Sequence, residues 1–442
     1  MAGLVWNPSD VGVSLGFRYP GAEQNITEPE VAIDPFHPET VLVFAIDQSA
    51  RNQDPGLFST NRGFRSVDGG RTWNDIGAMP LTDGGPAPDS GDPVVVFDAA
   101  GVAYFISLVD PADSSRHIYV YRSHNSGATW ETPDIVHGPQ EDPARQMCTS
   151  VDKEWIAPGL TPGELVVTYT GADYVCSTGG GGNPFGSLEP VGIRSIAMFF
   201  TRSTDEGKTW SPRTELWHGY GLGSIPLVTR DGRILVAFWA TVASATNQCP
   251  SVVGAAVAAF GGGPFGAIVV ASSEDQGVTW SYAQFDVCAS DAYQASSLFP
   301  GLPAFASDSV TGTVYLAYPD YDREDGRTTL ILRVSRDSGR TWSDGFDATP
   351  GVEAGLPALA GQNGSASFVF VTSGATGTET WVRRSLDEGS SWSQPFRLSS
   401  ETADRAGGDY IGADMAGGRF VAVWADARDG PLEIRARVGS VT

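Results

Sequence analysis

The sequence predicts an all-β protein, and within that class a β-propeller of four-stranded antiparallel blades, with seven blades preferred and six as the alternative. Three observations predict this fold. An eight-residue motif recurs six times, apolar strand-like segments precede each copy, and the 442 residues include 54 glycines and 29 prolines, which favour short strands joined by turns. We therefore treat residues 1–442 as one domain, although length alone suggests two or three.

The repeated motif has Ser at its first place, Asp or Asn at the third, Gly at the fifth, Thr or Ser at the seventh and Trp at the eighth. Its tryptophans are Trp73, Trp130, Trp210, Trp280, Trp342 and Trp392. They are 57, 80, 70, 62 and 50 residues apart, and each step is about the length of one four-stranded sheet with its loops.

The residue types of the motif are those of a tight hairpin turn. Asp accepts hydrogen bonds from backbone amides of the turn, and Gly adopts positive φ at no steric cost. Thr or Ser can bond back to the carboxylate, and we expect Trp to wedge the turn against its own sheet. Six equivalent turns on one rim cannot form a single active site, so we predict a structural role for these aspartates.

The number of blades follows from the strands that lie upstream of each motif. Seven segments are candidate first strands: residues 28–34, 92–98, 152–157, 223–228, 302–306, 356–360 and 408–414. The seventh blade runs out of chain after three strands. We predict that the N-terminal segment, residues 1–27, supplies the fourth strand from residues 11–17 and thereby closes the ring and covers an open sheet edge.

The repeated motif is the Asp box, and from about residue 28 to residue 438 the chain resembles the sialidase-like propellers with bacterial neuraminidase repeats. The resemblance implies a secreted carbohydrate-active protein, most simply an exo-sialidase-like glycoside hydrolase that acts on glycan termini in a central pocket. Such propellers also occur in lyases, receptors and lectins. A polysaccharide lyase acting on uronate glycans and a non-catalytic propeller that binds glycans or cations are therefore the alternatives.

A retaining sialidase uses a tyrosine nucleophile and three arginines that grip the substrate carboxylate. The resemblance places the tyrosine at Tyr410, near the start of the last blade. No adjacent trio of arginines is visible. By loop position alone, the substrate-binding candidates are Arg145, Arg194, Arg323 and Arg405. Seven blades would also depart from the six of sialidases, which weakens the transfer of sialidase activity.

Charged residues stand at four of the predicted first strands. They are Glu28, Asp92, Asp152 with Lys153, and Asp409 beside Tyr410. These strand ends converge on the channel of a propeller, where neighbouring carboxylates raise one another's pKa and suit a general acid paired with an ionised base. We predict Glu28, Asp92, Asp409 and Tyr410 as catalytic, and Asp152 and Lys153 as substrate-binding. Calcium binding through oxygen ligands and local capping of the strand starts are the other interpretations.

Charge and cysteines bear on partners and compartment. The 52 acidic and 28 basic residues give a net charge of −24, which argues against nucleic acid and anionic membrane as partners and also fits a sialate anion poorly. No apolar run is long enough to span a bilayer. We expect disulfides Cys148–Cys176 and Cys249–Cys288 between long loops, and hence a secreted or periplasmic protein that has lost its signal peptide; four buried free thiols are the other interpretation. We also expect a monomer. No cofactor is predicted apart from structural calcium in the cation-binding interpretation.

Overall fold

The structure is a computed structural model that describes residues 4–14, 25–49, 59–79, 90–109, 116–137, 147–183, 186–242, 265–287, 301–322, 326–428 and 430–441. Within β-strands, the side chains of residues 147–149, 174, 176–194, 265, 286, 322 and 441 are not described. Every regular element in these ranges is a β-strand. In the described ranges we find no helix with the length and apolarity that a membrane crossing requires.

The strands form seven antiparallel sheets, which we number as blades in chain order. Blade 1 is β3 (Ile26–Ile33), β4 (Val41–Asp47), β5 (Thr60–Ser66) and β6 (Asn74–Ala78). Blade 2 is β7 (Ser90–Phe97), β8 (Ala103–Val109), β9 (His117–Ser123) and β10 (Asp134–His137). Blade 3 is β11 (Met147–Pro158), β12 (Leu165–Asn183), β13 (Gly186–Ser203) and β14 (Thr214–His218). Blade 4 is β15 (Gly221–Val228), β16 (Ile234–Val242), β17 (Phe265–Ser273) and β18 (Ser281–Val287).

The remaining three blades follow the same order. Blade 5 is β19 (Ala304–Ser307), β20 (Val314–Asp322), β21 (Arg327–Ser335) and β22 (Phe346–Asp347). Blade 6 is β23 (Glu353–Gln362), β24 (Ser365–Gly374), β25 (Gly377–Ser385) and β26 (Phe396–Arg397). Blade 7 is β27 (Ala406–Ala416), β28 (Arg419–Asp426) and β29 (Glu433–Val441), and β29 pairs with β1 (Leu4–Trp6) and β2 (Val11–Gly12).

The first strands of consecutive blades contact one another in a closed cycle, with β27 packed against β3, so the chain forms a seven-bladed propeller as the sequence predicts. The N-terminal segment completes blade 7. Of the predicted closing strand at residues 11–17, Val11 and Gly12 pair with β29, Val13 and Ser14 form hydrogen bonds with Ile434 of the same strand, and residues 15–17 lie outside the described residues. The pairing of Leu4–Trp6 with β29 lies upstream of that prediction.

The hydrophobic core is divided into seven clusters, each of which lies between two neighbouring blades. Six of them contain one Asp-box tryptophan, which packs between its own blade and the preceding one. The sequence predicted contact with its own sheet alone. Blade 7 has no Asp box. Trp6 of the N-terminal segment takes that place between blades 6 and 7, stacked on Phe396 at 5.4 Å between ring centroids.

The third Asp box shows how each turn is held. Asp205 accepts hydrogen bonds from the backbone amide of Thr209 at 2.9 Å and from its hydroxyl at 2.6 Å. The hydroxyl of Ser203 donates to Asp205 and accepts from the amide of Gly207. The bonds from Thr209 lower the pKa of Asp205 to about 2. In the next box, Gly277 has a φ of +85°, and a Cβ there would lie 2.3 Å from the Phe200 ring of the preceding blade. Only glycine meets both conditions.

We expect the charge pairing at the ring closure to be energetically important. The Asp10 carboxylate lies 2.7 Å from Nη1 of Arg428, and both side chains are only 3% exposed. An Asp10→Asn variant should lose about 2–4 kcal/mol of unfolding free energy, because it leaves a buried guanidinium with less compensation. Denaturant unfolding measures the loss. The matched control is Glu274→Gln, whose carboxylate pairs with Arg340 while 65% exposed and should change stability by about 1 kcal/mol or less. Equal losses in both variants would contradict this role of Asp10.

Candidate functional site

The first strands of several blades carry a β-bulge at the same level. Register shifts occur after Thr27 in β3, after Gly91 in β7 and after Asp152 in β11. Three non-glycine residues in these bulges have left-handed backbone angles: Glu28 with φ 53°, Asp92 with φ 47° and Lys153 with φ 49°. Such a conformation costs about 1–3 kcal/mol for a non-glycine residue, and bulges commonly redirect a side chain next to a functional site.

The bulges bring four of the predicted site residues together on the propeller axis. Nζ of Lys153 lies 3.1 Å from Asp92, 3.4 Å from Glu28 and 3.5 Å from Asp409. The backbone amide of Lys153 also donates to Asp92 at 3.3 Å. We call Lys153 and these three carboxyl groups the Lys153 cluster. It joins blades 1, 2, 3 and 7, and all of its side chains except Asp409 are at most 13% exposed.

A glycine makes room for this arrangement. Gly408, which precedes Asp409 in the bulge of β27, has a φ of +86°. A Cβ at this position would lie 2.6 Å from Cγ of Glu28. Blade 7 therefore admits Glu28 to the axis only because residue 408 has no side chain.

The cluster sets the protonation of its own members. Burial opposes the charge on Lys153, but the carboxylates of Asp92 and Asp409, joined by Glu28 when it is ionised, outweigh it and hold the lysine pKa well above its usual range. Burial raises the pKa of Glu28 to about 8, although Lys153 acts in the opposite direction. At neutral pH the site therefore holds a charged lysine beside a Glu28 that is largely protonated.

Tyr410 contributes its ring to the cluster. Nζ of Lys153 lies 4.6 Å from the centroid of that ring, and Trp155 meets the same ring edge-on at 5.7 Å. The hydroxyl of Tyr410 is buried and makes no hydrogen bond to the described residues. Burial, followed by the charges of Glu28 and Asp92, raises its pKa well above the usual tyrosine value. These features oppose the nucleophilic role that the resemblance implied for Tyr410.

Asp152 lies at the edge of the same site. Its side chain is 52% exposed and pairs with Arg116, with Nη1 at 3.6 Å from Oδ1. Desolvation and the nearby Asp92 carboxylate raise the pKa of Asp152 to about 6. The sequence did not identify Arg116 as a functional candidate, because nothing in its local sequence indicates that it contacts Asp152.

Three further carboxyl groups near the cluster were also missed: Glu154, which is buried, and Glu30 and Asp414, which are partly buried. Burial raises the pKa of Glu30 to about 8 and that of Asp414 to about 6, while Asp414 accepts a hydrogen bond from the amide of Ile33 at 2.7 Å. Glu154 is 1% exposed, and neither of its oxygens has a hydrogen-bond partner among the described residues. The sequence does distinguish Glu30. It occupies the first paired position after the bulge of β3, and the corresponding position in other blades is apolar, as at Val94 of β7.

A cavity of about 60 Å³ lies on the axis beside the cluster. One side of it is polar, with Glu30, Lys153 and Tyr410. The other side is apolar and is formed by Ile225, Leu302, Pro303, Phe305, Pro357 and Leu359 from blades 4, 5 and 6. The volume corresponds to about two water molecules. At neutral pH, Glu28 and Glu30 can therefore remain protonated beside this small cavity, which is apolar on one side.

The other predicted site residues are not brought to the cluster by any described contact. Arg405 is exposed just before β27, where its carbonyl accepts from the amide of Ala427. The backbone of Arg194 belongs to β13, but its side chain is not described. Arg145 and Arg323 lie outside the described residues. Among the groups that the structure describes, no set of three or more His, Cys, Asp or Glu side chains is arranged to hold a metal ion.

The disulfides stay predictions. Cys148 lies in β11 opposite Tyr174, two residues from Cys176 on the neighbouring β12, so the two backbones run side by side. The side chains of both are outside the described set, and so are Cys249 and Cys288 altogether.

Comparisons with known proteins establish the fold. No family model matches the chain, and no curated protein matches it. An α-L-arabinofuranosidase from Fusarium graminearum bound to an iminosugar inhibitor is 13% identical, with 97% of each chain covered and a TM-score of 0.53. A structure of the Fusarium graminearum GH93 α-L-arabinofuranosidase with arabinobiose is 14% identical, with 97% of each chain covered and a TM-score of 0.50. A Hadza microbial sialidase is 18% identical over 87% of this chain and 74% of that chain, with a TM-score of 0.47. The resemblance to glycosidase propellers is thus confirmed for the fold.

The partly buried Glu30 predicts a pH-dependent stability. Its pKa rises from 4.5 in the unfolded chain to about 8 in the fold, so its contribution is fully present below pH 4.5 and is lost as the pH rises through 8. A Glu30→Gln variant should match the wild type near pH 4.5 and be more stable at pH 8.5, by on the order of 1 kcal/mol per unit of pKa shift. Thermal unfolding at both pH values measures this. With Glu274→Gln as the exposed control, an offset that is the same at both pH values would count against the raised pKa.

Proposed function

We propose that the protein is a glycoside hydrolase that acts on a neutral sugar at a glycan terminus, with the Lys153 cluster as its catalytic centre. One observation supports this most strongly: the carboxyl groups of Glu28 and Asp92 both form an ion pair with the same largely buried lysine, Lys153. Pairs of carboxyl groups in different protonation states are what glycosidic bond cleavage requires.

The spacing of this pair favours a retaining reaction. The Glu28 and Asp92 oxygens lie 3.4 and 3.1 Å from the same Nζ, so they are at most 6.5 Å apart, the sum of the two distances. Retaining enzymes place their carboxyl groups about 5–5.5 Å apart, and inverting enzymes about 6.5–9.5 Å apart. The two nearest oxygens are therefore close enough for the spacing of a retaining enzyme.

The proposed roles follow from the protonation states. Glu28, with its raised pKa, donates its proton to the glycosidic oxygen as the leaving group departs. The Asp92 carboxylate attacks the anomeric carbon and forms a glycosyl ester. Glu28, now ionised, removes a proton from water, which attacks the anomeric carbon and releases Asp92. Lys153 forms ion pairs with Asp92 and Asp409, and the Tyr410 ring positions the lysine.

A neutral substrate fits the charges of the site better than a sialate does. Lys153 is the one basic residue of its cluster, and three carboxyl groups already surround it. A substrate carboxylate would have to compete with them inside a protein of net charge −24. The structures with the higher TM-scores are arabinofuranosidases, one of them bound to arabinobiose, which is a neutral disaccharide. Neutral pentosides are therefore the first substrates to test, and sialosides serve as the comparison.

A uronate lyase is less well supported. The candidate bases for such a reaction are Lys153 and Tyr410, and both have pKa values raised well above their usual range. A base that holds its proton more tightly than usual is a poor acceptor at neutral pH. A lyase would show itself by unsaturated products that absorb in the ultraviolet.

The proposed general acid gives a direct test. Glu28→Gln should lower kcat by about 10²–10⁴-fold on glycosides with poor leaving groups, and much less on dinitrophenyl glycosides, which need little protonation. Wild-type activity should fall as the pH rises through about 8, because the acid is then deprotonated. A panel of neutral aryl glycosides, a fluorogenic sialoside and ultraviolet detection of lyase products cover the three activities.

The control and the contrary outcome are clear. Glu274→Gln, far from the axis and 65% exposed, should leave kcat unchanged. Equal losses for Glu28→Gln on good and poor leaving groups would contradict the acid role. If no glycoside is turned over while Asp92→Asn merely changes the melting temperature, the cluster is structural and the protein is a non-catalytic propeller.

A further inference from the structure

A second cavity lies at the outer part of the ring, between blades 2 and 3. Its volume is about 300 Å³, which is at the lower end of the range for small-ligand pockets. His137 closes the outermost strand of blade 2, whereas Tyr169 comes from β12 of blade 3 and Trp210 and Arg213 follow the third Asp-box turn. The Lys153 cluster, in contrast, lies on the innermost strands.

Three polar atoms of this cavity are buried: Oη of Tyr169, Nε2 of His137 and Nη1 of Arg213. The Tyr169 hydroxyl interacts with Arg213, and Nε2 of His137 has no partner among the described residues. Tyr169 as a whole is 0% exposed. A buried polar group without a partner costs about 1–3 kcal/mol, and a single contact does not use the full hydrogen-bonding capacity of the Tyr169 hydroxyl, so we expect something else to supply the missing partners.

The charges around the cavity are balanced. Burial, and next the positive charge of Arg213, lower the pKa of His137 to about 4, so this imidazole is neutral at physiological pH. Arg213 lies 3.8 Å from the Asp173 carboxylate and 4.1 Å above the Phe199 ring. The guanidinium is thus compensated, and a negatively charged ligand would face Asp173. The balance favours a neutral ligand that offers several oxygen atoms.

The apolar surfaces of the cavity suit the same ligand class. The rings of His137 and Tyr169 stack with centroids 5.2 Å apart, and Trp210 and Pro212 complete the wall. Aromatic rings pack against the C–H face of a sugar, while hydroxyl, imidazole and guanidinium groups bond its oxygens. We propose that this cavity is a second glycan-binding site that holds one neutral sugar unit, separate from the catalytic centre.

Binding to the full chain is measured by isothermal titration in the Glu28→Gln background, so that turnover plays no part. The probes are arabinobiose, xylobiose and lactose, with inorganic phosphate and glucuronate as anions. Tyr169→Phe should weaken binding of at least one neutral probe at least tenfold at one site. It should lower the melting temperature no more than the Tyr315→Phe control does, because each variant loses a buried hydroxyl with one contact to a neighbouring side chain. Arg213→Gln should weaken the same binding.

The matched control is Tyr315→Phe, which removes another buried hydroxyl, whose contact is to Thr313, far away between blades 5 and 6. It should leave binding unchanged. The proposal is overturned if no neutral probe binds with Tyr169-dependent affinity, if only phosphate or glucuronate binds there, or if Tyr169→Phe lowers the melting temperature more than Tyr315→Phe does. Since catalysis is measured separately through Glu28, failure of this site and failure of the proposed hydrolase activity are distinguishable.

Discussion

The ion pairs of Lys153 are the constraint on which the centre of the propeller depends. A lysine ammonium that is 10% exposed is stable only if carboxylates compensate it, and three carboxyl groups so close together are stable only with a cation between them. The partners come from three other blades, so the chain adopts left-handed bulges at Glu28, Asp92 and Lys153 to reach the axis. Blades 4, 5 and 6 meet the axis with Leu302, Pro357 and similar apolar groups instead. At the axis, the described residues of blades 1, 2, 3 and 7 are therefore charged, whereas those of blades 4, 5 and 6 are apolar.

The ring closure at the outer edge of blade 7 also depends on a buried ion pair. Blade 7 has neither an Asp box nor a fourth strand of its own, and the N-terminal segment replaces both. Trp6 fills the space that an Asp-box tryptophan fills elsewhere, and Asp10 is paired with Arg428. Because Arg428 also binds Asp426 of β28, the N-terminus is tied to the middle of the blade and not only to its edge strand.

The sequence predicted those features that depend on local patterns or on the symmetry of the repeat. The Asp-box spacing predicted the blades, and the common position of Glu28, Asp92, Lys153 and Asp409 at strand starts predicted that they would converge. Features that depend on one particular contact could not be predicted. Trp6 has no motif around it, Arg116 reaches Asp152 from the segment just before β9, and the cavity at Tyr169 and Arg213 arises where two blades meet. Glu154 reads as an ordinary polar residue until its burial is known.

The protonation of the buried carboxyl groups also changes how the acidity of the chain bears on its ligand. A net charge of −24 counts every carboxyl group as ionised. Burial raises the pKa of both Glu28 and Glu30 to about 8, so at neutral pH neither contributes a full negative charge to the centre. Repulsion by a ring of carboxylates is thus a weaker reason against an anionic sugar than the composition suggests. The stronger reason is that Lys153 already forms ion pairs with Asp92 and Asp409. An anionic sugar could bind this lysine only by competing with those two residues.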